Sequence, residues 1–316
     1  MEGKEIASVY FGGGTPFLFG PKAIGEILPK CSGEVTLEAN PENITLELMR
    51  EYKNVGINRV SIGVQSLDDS SLSILGRNHG AKAAIKAIEA TYSAGIENIS
   101  IDLMYDLPEQ TLASWENTLK QIEKLPIKHL SLYNLTIEPH TVFFKYRQKL
   151  ILPNADDSLK MLEMAVDYLE GAGLKRYEIS AFAKVGFEAV HNTGYWLARP
   201  FLGFGPSAFS YWNKKRFRNI ANLNKYAKLL EEGKTPIDFE EALPYPNNLF
   251  ELFAVELRML KGIDLASFQQ KHGQLPPDFF PKLHSLEQKG WITTTPTISL
   301  TPSGLLFYDS VAEELL

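Results

Sequence analysis

The sequence predicts an α/β fold built on a parallel sheet of the barrel type, and three observations carry the prediction. Short β-branched apolar runs occupy residues 6–11, 35–37, 59–64, 99–104 and 129–135. Each is followed by an amphipathic helical stretch, at 21–28, 45–54, 81–94, 112–125 and 157–172. Alternation of buried-type strands with helices argues for parallel strands with helices outside them, and five units in a row favour a barrel or large partial barrel over an open sheet. Polar and glycine residues crowd the strand ends: Gly12-Gly13-Gly14, Glu38, Gln65 and Asp102 follow four different strands. In parallel α/β folds the chemistry gathers at the carboxyl ends of the strands, so these groups are expected at one mouth.

The totals agree with one large domain and a small one. The chain has 316 residues, 44% of them hydrophobic, enough for a full core. Its formal net charge of -6 disfavours nucleic acid and anionic membrane as partners. No apolar run approaches the roughly 20 residues that span a bilayer. The start, Met1-Glu2-Gly3-Lys4-Glu5, lacks an apolar signal region. A cytoplasmic protein is expected, reaching a membrane surface only through a partner. The single cysteine, Cys31, can form neither an internal disulfide nor a thiolate cluster.

Three segments are expected along the chain. Residues 1–235 hold the β/α units and, from about 182 to 222, an irregular aromatic and glycine-rich cap. Residues 236–248 carry prolines at 236, 244 and 246 and read as a linker. Residues 249–316 have helical stretches at 249–260, 265–272 and 278–289, a hairpin at 291–300 and a last helix after Pro302, the order of a winged-helix-like module. Such modules often bind DNA, but residues 245–316 hold five Lys and Arg against eight Asp and Glu, a net of −3. A packing or partner role is expected instead.

The glycine triplet sits in Gly12-Gly13-Gly14-Thr15-Pro16, directly after a strand, where missing Cβ atoms let backbone approach a ligand. It is followed by Leu37-Glu38-Ala39-Asn40-Pro41, by Gly56-Ile57-Asn58-Arg59-Val60-Ser61-Ile62-Gly63-Val64-Gln65-Ser66, and by Leu75-Gly76-Arg77-Asn78-His79. Then come Ile101-Asp102-Leu103-Met104-Tyr105-Asp106-Leu107-Pro108, Ser131-Leu132-Tyr133 and Tyr177-Glu178-Ile179-Ser180. In this order and spacing the chain resembles the oxygen-independent coproporphyrinogen oxidase-like family of radical-SAM proteins over nearly its whole length. The resemblance implies a partial (β/α)6 barrel that binds S-adenosylmethionine at its mouth. It implies that Gly13, Gly14 and Thr15 meet the methionine end of that ligand. Glu38, Gln65, Arg77 and Asp102 are expected to line the same pocket, with Thr136 beside the adenosyl group. The chemistry suits these residues: Glu38 for an ammonium, Arg77 for a carboxylate, Asp102 or Gln65 for ribose hydroxyls. One departure is Asp106, where the family usually has glycine; aspartate tolerates turn geometry, so the fold should survive.

The stretch His191-Asn192-Thr193-Gly194-Tyr195-Trp196 matches the His-Asn-x-x-Tyr-Trp motif of the family's HemW-type heme-chaperone branch. That resemblance makes His191 a heme contact and implies delivery of heme to a respiratory heme-accepting protein. Neutral imidazole is a good haem-iron ligand, and Tyr195 and Trp196 are rings of the kind that stack on a flat macrocycle. The basic run Lys214-Lys215-Arg216-Phe217-Arg218 is either a propionate contact or a solvated turn. His79, His129, His140, His272 and His284 are assigned no ligand. Two other readings stand beside the chaperone: an oxygen-independent coproporphyrinogen III oxidase forming protoporphyrinogen IX, and an inactive remnant.

Family members hold a [4Fe–4S] cluster through Cys-x3-Cys-x2-Cys after the first barrel strand. Here the run ending at Phe11 corresponds to the second strand, so the first β/α unit and its cysteines have no counterpart, and no residue of this chain is a metal ligand by the resemblance. The chain is not expected to be catalytically competent by itself. A misassigned start, a split or decaying gene, and a short form that works without a cluster each explain this; retention of Glu38, Gln65, Arg77 and Asp102 favours the first. A barrel lacking one unit exposes a strand edge, so lower stability than a longer form, or a homodimer covering that edge, is expected.

Overall fold

The computed structural model describes residues 5–139 and 141–316; Met1 to Lys4 and His140 lie outside the described residues. The chain forms two compact units, Met1–His191 and Asn192–Leu316.

In the first unit, β1 (Ser8–Phe11), β2 (Glu34–Ala39), β3 (Arg59–Gln65), β4 (Asn98–Tyr105) and β5 (His129–Asn134) pair in parallel and in chain order. Between them run α1 (Gly20–Ile27), α2 (Leu46–Asn54), α3 (Asp69–Ile74), α4 (Ala81–Ser93) and α5 (Leu112–Ile122). After β5 come the short α6 (Val142–Tyr146) and the long α7 (Ala155–Gly171). The helices begin where local chemistry tells them to. Thr45, Asp68 and Asn154 accept from backbone N–H groups three residues on, and Thr111 and Ser114 form a reciprocal capping box. Strands in chain order, joined by crossovers of one hand, place their helices on one face, unlike the reversal of a doubly wound sheet.

That single winding divides the side chains of every strand. Val35, Leu37, Val60, Ile62, Ile99, Ile101, Leu103, Leu130 and Leu132 meet Met49, Tyr52, Ile88, Trp115 and Met161 of the helices in one apolar core. Two polar anchors pin the helical layer: Trp115 Nε1 donates to the Met161 carbonyl at 2.7 Å, and the Tyr52 hydroxyl to that of Phe17 at 2.5 Å. The alternate positions are polar: Glu34, Thr36 and Glu38, then Arg59 and Ser61, Ser100 and Asp102, His129 and Ser131. Most of these are buried, on the face away from that apolar core. A sheet that curls on itself buries its inner face in this way.

The sheet ends in a hairpin that the apolar pattern does not announce. β6 (Lys175–Glu178) and β7 (Ala181–Ala183) are antiparallel to each other, and β7 pairs antiparallel with β5. The order is β1-β2-β3-β4-β5-β7-β6, leaving β1 paired on one side only among the described residues. From β7 the chain enters α8 (Val190–Trp196), within which the two units divide. The start of α8 is tethered to the inner face. Glu34 accepts from the backbone N–H groups of Val190 (3.1 Å) and His191 (3.0 Å). The Tyr177 hydroxyl accepts from Ala189 N–H (3.2 Å) and bonds His129 Nε2 (2.9 Å), whose Nδ1 bonds Ser100 (2.8 Å).

The second unit corrects the expectation of an irregular cap. β8 (Phe209–Trp212), β9 (Lys215–Asn219) and β10 (Ile237–Glu241) form an antiparallel sheet, with α9 (Leu223–Glu231) between its last two strands. The two-residue turn Asn213-Lys214, with φ of 53° and 63°, is the left-handed pair that a tight hairpin requires. The short alternating strands, only four and five residues long, explain why composition hid them. The proline-marked stretch 236–248 thus contains a strand. Beyond it, α10 (Asn247–Glu256), α11 (Leu265–His272) and α12 (Phe279–Gln288) precede the hairpin β11 (Ile292–Thr293) and β12 (Ser299–Leu300). The final helix breaks at Phe307 into α13 (Pro302–Leu306) and α14 (Tyr308–Leu315). Phe253, Phe268, Phe279, Leu286 and Val311 centre a separate core.

Arg59, 3% exposed, lies 3.8 Å from Glu34 and donates to Asn98 at 2.7 Å. Glu34→Ala would strand this guanidinium and release α8 together. A loss of roughly 3–5 kcal/mol is expected in urea unfolding; a loss below about 1 kcal/mol would show that the pair is not structural.

Candidate functional site

The inner face opens at the carboxyl ends of β1 to β5, and the chain there is shaped for close approach. Gly13 and Gly14 adopt φ of 78° and 69°, and a Cβ on either would meet nothing within 4 Å, so this backbone borders open space. Gly13 N–H donates to Glu38 Oε2 at 3.1 Å. Glu38 Oε1 accepts from the Tyr10 hydroxyl at 2.8 Å. The carboxylate of β2 therefore fixes the glycine turn after β1. Thr15 Oγ1 accepts from Asn40 Nδ2 at 3.4 Å, and a Cβ on Gly63 would lie 3.0 Å from Gln65 Nε2 and 3.4 Å from Asn40 Oδ1. Gln65 has φ of 65°, a conformation costly for a residue other than glycine, and it sits where the β3–β4 register shifts.

Asp102 occupies the same face on β4. Ser61 donates to its Oδ1 at 3.4 Å, and Ser131 hydrogen-bonds it from β5. Burial, and next the Glu38 charge, push its carboxyl up to about 6. Burial, then Glu38, raises the Tyr10 phenol; burial and Asp102 push Tyr133 up to about 12. Two carboxylates and two phenols thus share a partly desolvated mouth in which further negative charge is costly and positive charge is welcome.

Of the residues expected from sequence, Gly13, Thr15, Glu38, Gln65 and Asp102 converge, and Gly14 borders the same opening. Arg77 and Thr136 are exposed in flanking loops, on the turn after α3 and two residues beyond β5. Arg77 has no ion-pair partner among the described residues. Its loop is pinned nearby: His79, 5% exposed, bonds Glu42 at 3.1 Å and the Val64 carbonyl at 3.2 Å. Asp106 takes φ of 65° and accepts from Asn134 Nδ2 (2.8 Å) and from the Ser158 hydroxyl, so the aspartate tolerates the turn and also clamps β4 to β5 and α7. Tyr10, Ser61, Ser131 and Tyr133 join the two carboxylates; their signal in the sequence is the period of two within otherwise apolar strands.

His191 stands at the other end. Its Nδ1 bonds Ser8, the first residue of β1, at 3.0 Å, and its ring stacks on Tyr10 with centroids 4.9 Å apart. Burial lowers the imidazole to about 4, so it is neutral at physiological pH. The neighbouring aromatics are engaged: Tyr195 packs edge-on against Phe201, and the Arg258 guanidinium lies 4.3 Å from the Trp196 ring centroid. Three of the basic run's side chains have acidic partners within the second unit. Lys215 pairs with Glu240 at 2.7 Å, Arg216 with Glu241 and with Glu251 at 2.6 Å, and Arg218 with Asp238 at 3.1 Å.

Among the described residues no group of three or more His, Cys, Asp or Glu side chains is arranged to hold a metal ion. Cys31, the chain's one cysteine, donates to the Ile6 carbonyl at 3.3 Å. These residues do not fit an iron–sulfur cluster. No described helix is long and apolar enough to cross a membrane.

The raised Asp102 carboxyl makes a prediction. Its charged form is disfavoured by folding, so stability is full below the ordinary carboxylate range and falls as pH rises through about 6. Asp102→Asn should gain on the parent by up to ~2 kcal/mol between about pH 4 and pH 8. A pH-independent difference in denaturant unfolding would contradict this.

The chain matches the Radical SAM superfamily over residues 2–122 and the HemN C-terminal domain over residues 243–307. It is 32% identical over 320 residues to the heme chaperone HemW of Bacillus subtilis (strain 168), covering 97% of this chain and 84% of that protein. It is 30% identical over 325 residues to the heme chaperone HemW of Escherichia coli (strain K12), covering 100% and 84%. Among solved structures, coproporphyrinogen III oxidase (HemN) from Escherichia coli, a radical SAM enzyme, superposes with a TM-score of 0.84 at 22% identity, over 99% of this chain and 78% of that one. At that identity the superposition establishes a shared fold alone. By its similarity over nearly its whole length, this chain belongs to the HemW family within the radical SAM superfamily.

Proposed function

We propose that this protein is a heme chaperone with an S-adenosylmethionine pocket at the barrel mouth, which binds heme through His191 and passes it to a respiratory heme-accepting protein. Full-length similarity to proteins named heme chaperone carries the reading. The donor set at the mouth suits the small ligand. S-adenosylmethionine carries an ammonium and a sulfonium, and the Glu38 and Asp102 carboxylates supply the compensating charge. The open backbone at Gly13 and Gly14 leaves room for close approach, and Arg77 offers a guanidinium to the ligand's carboxylate. Thr136 stands on the loop that would border the adenosyl group. Radical SAM members use an iron–sulfur cluster to cleave this ligand; the described residues here do not fit such a cluster. A cytoplasmic location, and a homodimer across the one-sided edge of β1, complete the proposal.

His191 suits heme because it stays neutral, so protons do not compete with iron until the pH approaches about 4. Hemin affinity, followed by the Soret band, should therefore be flat from about pH 5.5 to 8. His191→Ala should weaken it at least ~10-fold. Equal affinity in the variant removes His191 from the heme site. For the mouth, calorimetry with S-adenosylmethionine should give at least ~10-fold weaker binding to Glu38→Gln; unchanged affinity would place the ligand elsewhere.

A further inference from the structure

The two proposed ligand sites are joined by one side chain. Tyr10 lies on β1 two residues beyond Ser8 and two before Gly12. Its ring carries the stack of His191, whose Nδ1 is held by Ser8. Its hydroxyl donates to Glu38, and the same carboxylate accepts from Gly13 N–H. The chain Ser8–His191–Tyr10–Glu38–Gly13 thus runs from the amino ends of the strands to the mouth, through contacts of 3.0, 4.9, 2.8 and 3.1 Å. A Cβ on Gly12 would lie 2.6 Å from the Tyr10 ring and 3.1 Å from Glu38 Oε1, so there is little slack around this tyrosine on the glycine side.

We infer that Tyr10 couples the two ends of the inner face, so that a cationic ligand at Glu38 loosens the packing of His191 and makes its imidazole more available to heme iron. The inference rests on the ligand assignments proposed above. Glu38 is the shared acceptor. A ligand ammonium competes with the Tyr10 hydroxyl for that carboxylate and weakens the anchor that holds the ring in place. His191 keeps its backbone tether to Glu34, so only the side chain is released. Ring stacking of this kind sets the size of the effect, about threefold to tenfold in affinity.

Hemin titrations with and without saturating S-adenosylmethionine test this in the parent chain and in Tyr10→Phe, which keeps the ring and removes the hydroxyl. In the parent, S-adenosylmethionine should tighten hemin about threefold to tenfold, and hemin should tighten S-adenosylmethionine by the same factor, as linkage requires. In Tyr10→Phe both factors should fall to one. Parent affinities that ignore the other ligand, or a coupling that survives Tyr10→Phe, overturn the inference; coupling of opposite sign overturns the loosening. Failure of hemin or S-adenosylmethionine to bind alone overturns the ligand assignments and the coupling with them, a result distinct from independent binding of both. If Tyr10→Phe melts early, the His191 ring resonances of the parent decide. They should move with S-adenosylmethionine occupancy, and resonances that stay put overturn the coupling.

Discussion

The first unit depends on one constraint: each parallel strand must satisfy two unlike faces at once. The outward face buys its stability in the ordinary way, by burying Val, Ile and Leu against helices. The inward face is buried too, but with Glu34, Arg59, Ser61, Ser100, His129 and Ser131. Polar groups removed from water must find partners in the protein. They find them across strands: Arg59 to Asn98, Ser100 to His129, His129 to Tyr177, Ser61 to Asp102. The inner face is therefore a cross-linked polar lattice, and a single residue there acts on several strands.

Charge is distributed unevenly over that lattice. Near the amino ends of the strands, Glu34 is answered by Arg59 and by two backbone N–H groups at the start of α8. At the mouth, Glu38 and Asp102 repel one another; hydroxyls and one backbone N–H answer them at hydrogen-bond distance, and Arg59 acts on Asp102 through its charge alone. The lower end is electrostatically closed and the upper end is left wanting a cation. In the second unit, acids of β10 answer the basic residues of β9.

Much of this was legible in the residues. The five parallel strands fall within a residue or two of the apolar runs, and α11 coincides with its predicted stretch, because sustained periodicity reports burial directly. The glycine turn, Glu38 and Asp102 were legible because they interrupt apolar runs at strand ends. β6 to β10 were not. Lys175-Arg176-Tyr177-Glu178 carries no apolar signal, and its place in the sheet is decided by the hairpin with β7 and by contacts distant in sequence. The role of Tyr10 was hidden for a related reason: a tyrosine inside an apolar run reads as core until its hydroxyl is seen to reach Glu38. The partners of the basic run 214–218 were not legible, because its acids lie twenty or more residues away on β10 and α10.

The direction of β7 has a consequence of its own. Five strands deliver the chain to the mouth, and β7, running against them, carries it back to the opposite end, where residues 184–191 form a floor. Mouth and floor are therefore written in separate stretches of the chain. Insertions or deletions between β7 and α8 would reshape the floor around His191 while leaving Gly13, Glu38 and Asp102 in register. The His191-facing and mouth-facing halves of such a fold are free to diverge in length and composition at different rates, provided Tyr10 remains between them.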